Sequence, residues 1–273
     1  MFHLNRKKTW KWLKILAIVY CLAGAGLYFF QEKLLFHPEP LPADYVFRFD
    51  HPFRELTMPM DDSRTVSLIQ FTVPDSQCRG VVLYFHGNRK NVTRYAPFAR
   101  NFTKHGYEVW MVDYPGFGKS NGERSEQVLY DDALQVYKMA QSRFSRDSII
   151  IYGKSIGTGI AAQLASRRDC KRLILETPYY SIAALFRHYA WMYPVDWMTK
   201  YKFPTCQYFS AITAPVTLFH GTRDEVVPYQ HSTWLLKAAR SPAELITLEG
   251  GYHNNLNDFP LFHQKLDSLL QLP

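Results

Sequence analysis

Cysteine is scarce in this chain: four residues in 273, at positions 21, 78, 170 and 206. Cys21 lies in a hydrophobic N-terminal run, and the remaining three are an odd number with no C-x-x-C or Cys/His ligand spacing. That excludes a disulfide framework and a zinc-type ligand set. Outside the cytoplasm one pair could be oxidised; buried free thiols are the other reading. Internal repeats and low-complexity tracts are also lacking, so a repeat array or a disordered scaffold does not fit. A distributed basic surface is missing too. The formal net charge is +8, yet residues 1–33 hold six basic groups and one acidic group, which leaves +3 for all the rest. No nucleic-acid-binding motif accompanies that small excess, so a polyanion-binding role is not supported.

What is present is a globular composition, 47% hydrophobic and 16% aromatic, of a length that commonly forms one α/β domain. One apolar run stands apart. From Trp12 to Phe30 the only charge is Lys14, and a helix over Trp10–Phe30 would span roughly 30 Å, about a bilayer core. Lys14 could snorkel to the headgroups, and Trp10, Trp12 and Tyr28 suit the two interfaces. Residues 1–33 therefore read as a membrane anchor with its span at about 12–30. The basic N-terminal flank predicts a single-pass protein with its N-terminus in the cytoplasm and residues 31–273 on the non-cytoplasmic side. Ala23-Gly24-Ala25 resembles a signal-peptide cleavage site, but Leu27-Tyr28-Phe29-Phe30 continues the apolar run past it, which favours an uncleaved anchor.

After the anchor, residues 34–50 read as an extended, proline-punctuated connector. Residues 51–273 then alternate. Short apolar runs at 66–73, 80–85, 107–113, 148–152, 172–176, 215–220 and 244–248 read as strands, with helix-like segments between them. This pattern predicts a mostly parallel central sheet flanked by helices. One connection, 177–214, is about twenty residues longer than a helical crossover needs. It holds eleven aromatic residues and reads as a short lid insertion over an apolar pocket.

Ser155 directly follows the apolar strand 148–152 and precedes a helix-like segment, in Gly153-Lys154-Ser155-Ile156-Gly157. Gly-x-Ser-x-Gly between strand and helix is a nucleophile elbow: a sharp turn lifts the hydroxyl above a helix N-terminus that favours negative charge. Serine needs a base to take its proton. His253, in a loop before the final helix, is the expected base, and Asp224, at the C-terminal end of a strand, is the expected acid that orients it. Glu225 and Asp258 remain alternatives for the acid. The oxyanion hole requires two N–H donors, expected from Ile156 and from Asn88 in His86-Gly87-Asn88. His86 reads as a structural residue at a strand end.

Taken together, His86-Gly87-Asn88, Asp113–Ser120, the serine elbow, the Asp224 loop and the Gly251-Tyr252-His253 turn resemble the α/β-hydrolase superfamily over about residues 50–273. With the anchor and Leu35-Phe36-His37-Pro38, the chain is similar to its small membrane-anchored serine hydrolases. That resemblance implies ester, thioester or, less often, amide substrates, and no cofactor. Asp113–Ser120 would shape the site's floor. Where the family often has a small residue after His-Gly-Asn, this chain has Arg89 and Lys90, with Arg94 close behind; a basic rim selecting anionic or lipid-like esters is one reading, a solvated loop the other. An aminopeptidase-like amidase and a non-catalytic binding protein on the same scaffold are the rival functions.

Overall fold

A computed structural model describes residues 6–272 of the chain; residues 1–5 of the expected anchor segment lie outside the described residues. Eight strands form one sheet: β1 (Phe53–Pro59), β2 (Thr65–Phe71), β3 (Gly80–Phe85), β4 (Tyr107–Val112), β5 (Ile149–Lys154), β6 (Arg172–Glu176), β7 (Val216–Gly221) and β8 (Ala243–Leu248). Their order is β8-β7-β6-β5-β3-β4-β2-β1. Only β2 runs against its neighbours, and all other pairings are parallel. The central strands β3, β4 and β5 are buried at every residue. They have apolar side chains on both pleat faces, as a doubly covered parallel sheet requires. Val81, Leu83 and Phe85 face one apolar cluster with α2 (Glu126–Gln141) and α3 (Gly157–Arg167). Val82 and Tyr84 face the other, with the helical turns at 92–103 and, near the C-terminus, Phe262 and Leu266.

Seven strands stand where the apolar runs put them, to within two residues. β1 is the one the sequence reading missed. It is an edge strand with mixed, largely exposed side chains, paired antiparallel to β2, so burial leaves little periodic signal.

The N-terminal helix, α1 (Arg6–Leu35), is long and apolar enough to cross a membrane. It runs five residues past the apolar segment 12–30, and the connector is not a free tether. Leu35 and Phe36 are buried in the core cluster. The Phe36 ring lies edge-on to Tyr201 at 5.1 Å and beneath the Arg124 guanidinium at 4.3 Å. His37 and Pro38 pair in parallel with Arg89 and Lys90. Gln31, although charge-free and inside an apolar helix, is buried because its amide is fully used. Nε2 donates to the Tyr28 and Met198 carbonyls at 2.8 and 3.1 Å, and Oε1 accepts the Lys200 N–H at 2.6 Å.

The insertion 177–214 carries three short helices, α4 (Ile182–Tyr189), α5 (Val195–Met198) and α6 (Thr205–Phe209). Ser181 caps α4 by accepting the Ala184 N–H. The remaining helices are α7 (Gln230–Ala238) and α8 (Pro260–Gln271).

If the end of α1 is part of the core, Phe36→Ala should destabilise the whole protein by about 3–5 kcal/mol, the usual range for removing a buried phenyl ring. Denaturant unfolding of the full chain in detergent measures this; a loss below about 1 kcal/mol would mean that the segment only rests on the surface.

Candidate active site

The elbow is a forced geometry. Ser155 sits at φ 51°, left-handed for a residue with a side chain. Two glycines make the turn possible. A Cβ on Gly157 would lie 2.1 Å from the Phe85 carbonyl oxygen, and one on Gly153 would lie 2.6 Å from the Gly157 oxygen. The start of α3 thus presses against the end of β3. The Ser155 N–H donates to the Glu176 carbonyl at 2.9 Å, and the Ser155 carbonyl accepts the Thr158 N–H at 2.9 Å. With both main-chain groups tied down, the hydroxyl is the part left to project.

His253 and Asp224 meet it. The Ser155 hydroxyl is 2.9 Å from His253 Nε2, and His253 Nδ1 is 2.7 Å from Asp224 Oδ2. With Nδ1 protonated, the imidazole donates to the carboxylate and accepts from the serine. Asp224 Oδ1 accepts the Val226 and Val227 N–H groups, each at 2.8 Å. Glu225 is exposed beside the cleft, and Asp258 closes a 3-10 turn; the carboxylate on His253 is Asp224.

A second histidine, which the sequence reading passed over, also faces this carboxylate. His220, buried at the end of β7, has Nε2 2.9 Å from the Val227 carbonyl and 3.2 Å from Asp224 Oδ2. Its Nδ1 lies 2.6 Å from the Ser232 hydroxyl. A neutral ring with the proton on Nε2 satisfies all three contacts. Burial by itself would raise the Asp224 carboxyl, but hydrogen bonds from His220 and His253, the His253 charge and the Val227 N–H outweigh it. They hold the group well below the ordinary carboxylate range.

Asn88 and Ile156 line the same cleft as Ser155. The Asn88 side chain donates to the Leu35 carbonyl at 2.8 Å, and its own carbonyl accepts the His37 N–H at 2.8 Å. The end of α1 therefore holds this loop in place. Among the described residues, neither the Asn88 nor the Ile156 N–H has an acceptor.

His86 is fully buried, 3.1 Å from Asp113 Oδ1 and stacked on Tyr95 at 4.9 Å, a structural arrangement. Arg89 and Lys90 are exposed on their short ladder and Lys90 faces Glu39 at 3.4 Å. Neither of them nor Arg94 lines the Ser155 cleft, so the basic rim does not form there. Beneath the elbow, buried Lys154 pairs with Glu176, which also takes the Tyr152 hydroxyl.

The cleft has a volume of about 360 Å3. Leu34 and Leu35 of α1, Tyr179, Ile182, Leu185, Phe186 and Tyr189 of the insertion, and Val226 and Val227 of the Asp224 loop form its apolar walls. The Tyr189 hydroxyl ties the insertion to that loop through the Glu225 and Val226 carbonyls, at 2.7 and 3.0 Å. Among the described residues no group of His, Cys, Asp and Glu is placed to hold a metal ion, and all four cysteines are free.

The family model described as serine aminopeptidase, S33, matches residues 76–210 and 205–259. The chain belongs to this family, within the α/β-hydrolase superfamily. Among curated relatives of this α/β hydrolase, alpha/beta hydrolase domain-containing protein 17C of Mus musculus is 31% identical over 214 residues, covering 77% of this chain and 64% of its own length. The Xenopus tropicalis protein of that name is 32% identical over 197 residues, covering 71% and 61%. The chain thus spans about three fifths of the length of these relatives. In fold it is similar to the Pyrococcus furiosus esterase Pf2001, with TM-score 0.65, 18% identity, and coverage of 86% of this chain and 98% of that one. Est1E from Butyrivibrio proteoclasticus, with ferulic acid bound, is similar at TM-score 0.62 and 18% identity, covering 79% and 96%.

The depressed carboxyl has a measurable consequence for stability. A group whose folded pKa is lowered contributes stability above its unfolded pKa, about 3.9 for Asp, and loses that contribution as pH falls below it. Asp224→Asn removes this titration. Between about pH 6 and about pH 2.5 the wild-type Tm should fall further than that of the variant; parallel Tm profiles would show that the two imidazoles do not stabilise the Asp224 carboxylate.

Proposed function

We propose that this hydrolase is a serine esterase or thioesterase working at a membrane surface through Ser155, His253 and Asp224. The observation that carries the reading is the unbroken hydrogen-bonded series from the Ser155 hydroxyl through His253 to Asp224, set on a strained elbow at the floor of an apolar cleft. His253 takes the Ser155 proton as Oγ attacks the substrate carbonyl, and Asp224 stabilises the imidazolium that forms. The Ile156 and Asn88 N–H groups serve as the donors to the developing oxyanion; both residues line the cleft, and the Leu35 contact holds Asn88. His253 then protonates the leaving alcohol or thiol, and water attacks the acyl-enzyme by the same route in reverse. His220 is a positioning residue: it steadies the same carboxylate oxygen, Oδ2, that His253 engages.

Esterase is favoured over aminopeptidase because capture of a substrate ammonium calls for paired acids. Among the described residues the cleft wall offers one carboxylate, Glu225, amid apolar side chains. The bilayer placement is supported by α1, long and apolar enough to cross a membrane, and the basic N-terminal flank favours a catalytic domain on the non-cytoplasmic side.

Ser155→Ala should lower kcat for p-nitrophenyl butyrate by about 10^4–10^6-fold and abolish labelling by a fluorophosphonate probe. Labelling that persists in the variant would move the nucleophile elsewhere. Wild-type protein that neither reacts with the probe nor turns over esters would point to a binding protein. Faster hydrolysis of aminoacyl amides than of esters would reverse the substrate assignment.

A further inference from the structure

A second cavity, of about 230 Å3, lies between α1 and the insertion. Leu27 and Leu34 of α1 form one wall and Phe186, Tyr189, Ala190 and Tyr193 the other. Leu34, Phe186 and Tyr189 also line the Ser155 cleft, so the two spaces adjoin through shared side chains. The polar residues on this wall do not face an occupant with free groups. The Gln31 amide is satisfied by the Tyr28, Met198 and Lys200 main chain, and the Thr199 hydroxyl turns back to the Val195 carbonyl.

The position of this cavity along α1 is the telling feature. Tyr20 stacks on Tyr193 at 4.5 Å. Its hydroxyl donates to the Met192 carbonyl at 2.8 Å, while the Tyr193 hydroxyl donates to the Tyr20 carbonyl at 2.9 Å. A Cβ on Gly24 would lie 2.8 Å from the Tyr193 ring, so the helix offers a glycine where the ring lies against it. Tyr20 is ten residues before Phe30, roughly 15 Å down the helix and near the middle of its apolar run. The insertion is thereby brought level with the membrane-crossing part of α1. Trp191, next to the Tyr20 contact, is 75% exposed, and Trp197, next to the Met198–Gln31 contact, is 89% exposed, which in water would be an unfavourable display of large apolar surface.

We propose that the insertion dips into the bilayer leaflet and that the groove between it and α1 receives the acyl chain of a membrane-resident long-chain ester, leading its carbonyl to Ser155. This rests on the serine-hydrolase reading above and adds the substrate class and its route. The chain leaves hydrocarbon for a wall of leucine, phenylalanine and tyrosine, so it is never exposed to water, and the headgroup side of the ester stays at the open mouth of the cleft. The reaction is the hydrolysis already described: water supplies the elements of H–OH, and the products are a fatty acid and an alcohol or thiol.

The test uses the full chain in phosphatidylcholine vesicles, with p-nitrophenyl hexadecanoate in the bilayer and p-nitrophenyl butyrate in solution. Ala190→Trp, filling the groove from the insertion, should lower the hexadecanoate-to-butyrate ratio of kcat/KM by about tenfold or more. Leu27→Trp, filling it from the helix, should do the same without touching the insertion. Enzyme and hexadecanoate held in separate vesicles should react about tenfold more slowly than when they share them. Ratios within about twofold of wild type in both variants, or equal rates in shared and separate vesicles, overturn the proposal. Either of those results, obtained while the wild-type enzyme hydrolyses butyrate, leaves the esterase reading intact; wild-type enzyme inactive on both esters overturns the reading itself, and the groove with it.

Discussion

The chemistry of this molecule hangs on how closely the first turn of α3 approaches the end of β3. With Gly157 set against the Phe85 carbonyl, no side chain fits between them, and the chain has to reverse within the residues just after β5. Ser155 takes the left-handed backbone that this reversal demands, and Ile156 after it is the N-cap of α3. The same contact brings the loop at 86–88 beside Ser155: a Cβ on Gly87 would lie 3.7 Å from the Ser155 Cβ. The placement of Ser155, of the helix N-terminus and of the 86–88 loop therefore shares one origin. Strain of this kind persists only where the surroundings over-determine it. Here the surroundings are the buried strands on either side and the Lys154–Glu176 pair beneath, whose acid also supplies the carbonyl that fixes Ser155.

Around that fixed point the other groups are held by contacts between distant segments. Asp224 is a meeting place of two main-chain amides and two imidazoles, which orients the carboxylate without help from solvent. Tyr189 fastens the insertion to the loop that bears Asp224. The insertion is thus coupled to the acid as well as to the cleft wall. The Asn88 side chain performs the corresponding service between the 86–88 loop and the end of α1.

Much of this could be read from residue order. The strand and helix alternation follows from apolar runs that are buried on both faces, and β3 to β7 are strong cases. Ser155, Asp224 and His253 were recognisable because strand ends, turn glycines and chain order restrict where such groups can lie. Other features have no local signature. His220, within an apolar strand, looks like a core residue until Asp224 folds back onto it. Lys154 and Glu176 are 22 positions apart and become partners through neighbouring strands. β1 is an edge strand with little burial to impose a pattern. The prolines after Leu35 mark an extended connector, but the burial of Phe36 is decided by Tyr201, Phe117 and Arg124, far along the chain. The basic cluster at Arg89, Lys90 and Arg94 was legible as charge and not as direction.

Gln31 gives α1 a property that length and hydropathy do not. Because both ends of its amide are engaged by the main chain of one helix turn and of residues 198 and 200, α1 can neither rotate about its axis nor slide without stranding buried polar groups. The helix is keyed to the catalytic domain like a shaft in a slot. On the proposed anchoring, the height of Ser155 relative to the hydrocarbon boundary is then a constant of the molecule. On that same proposal the enzyme would act as a depth gauge, sorting bonds by how far they lie from the membrane interior before any pocket has judged their shape.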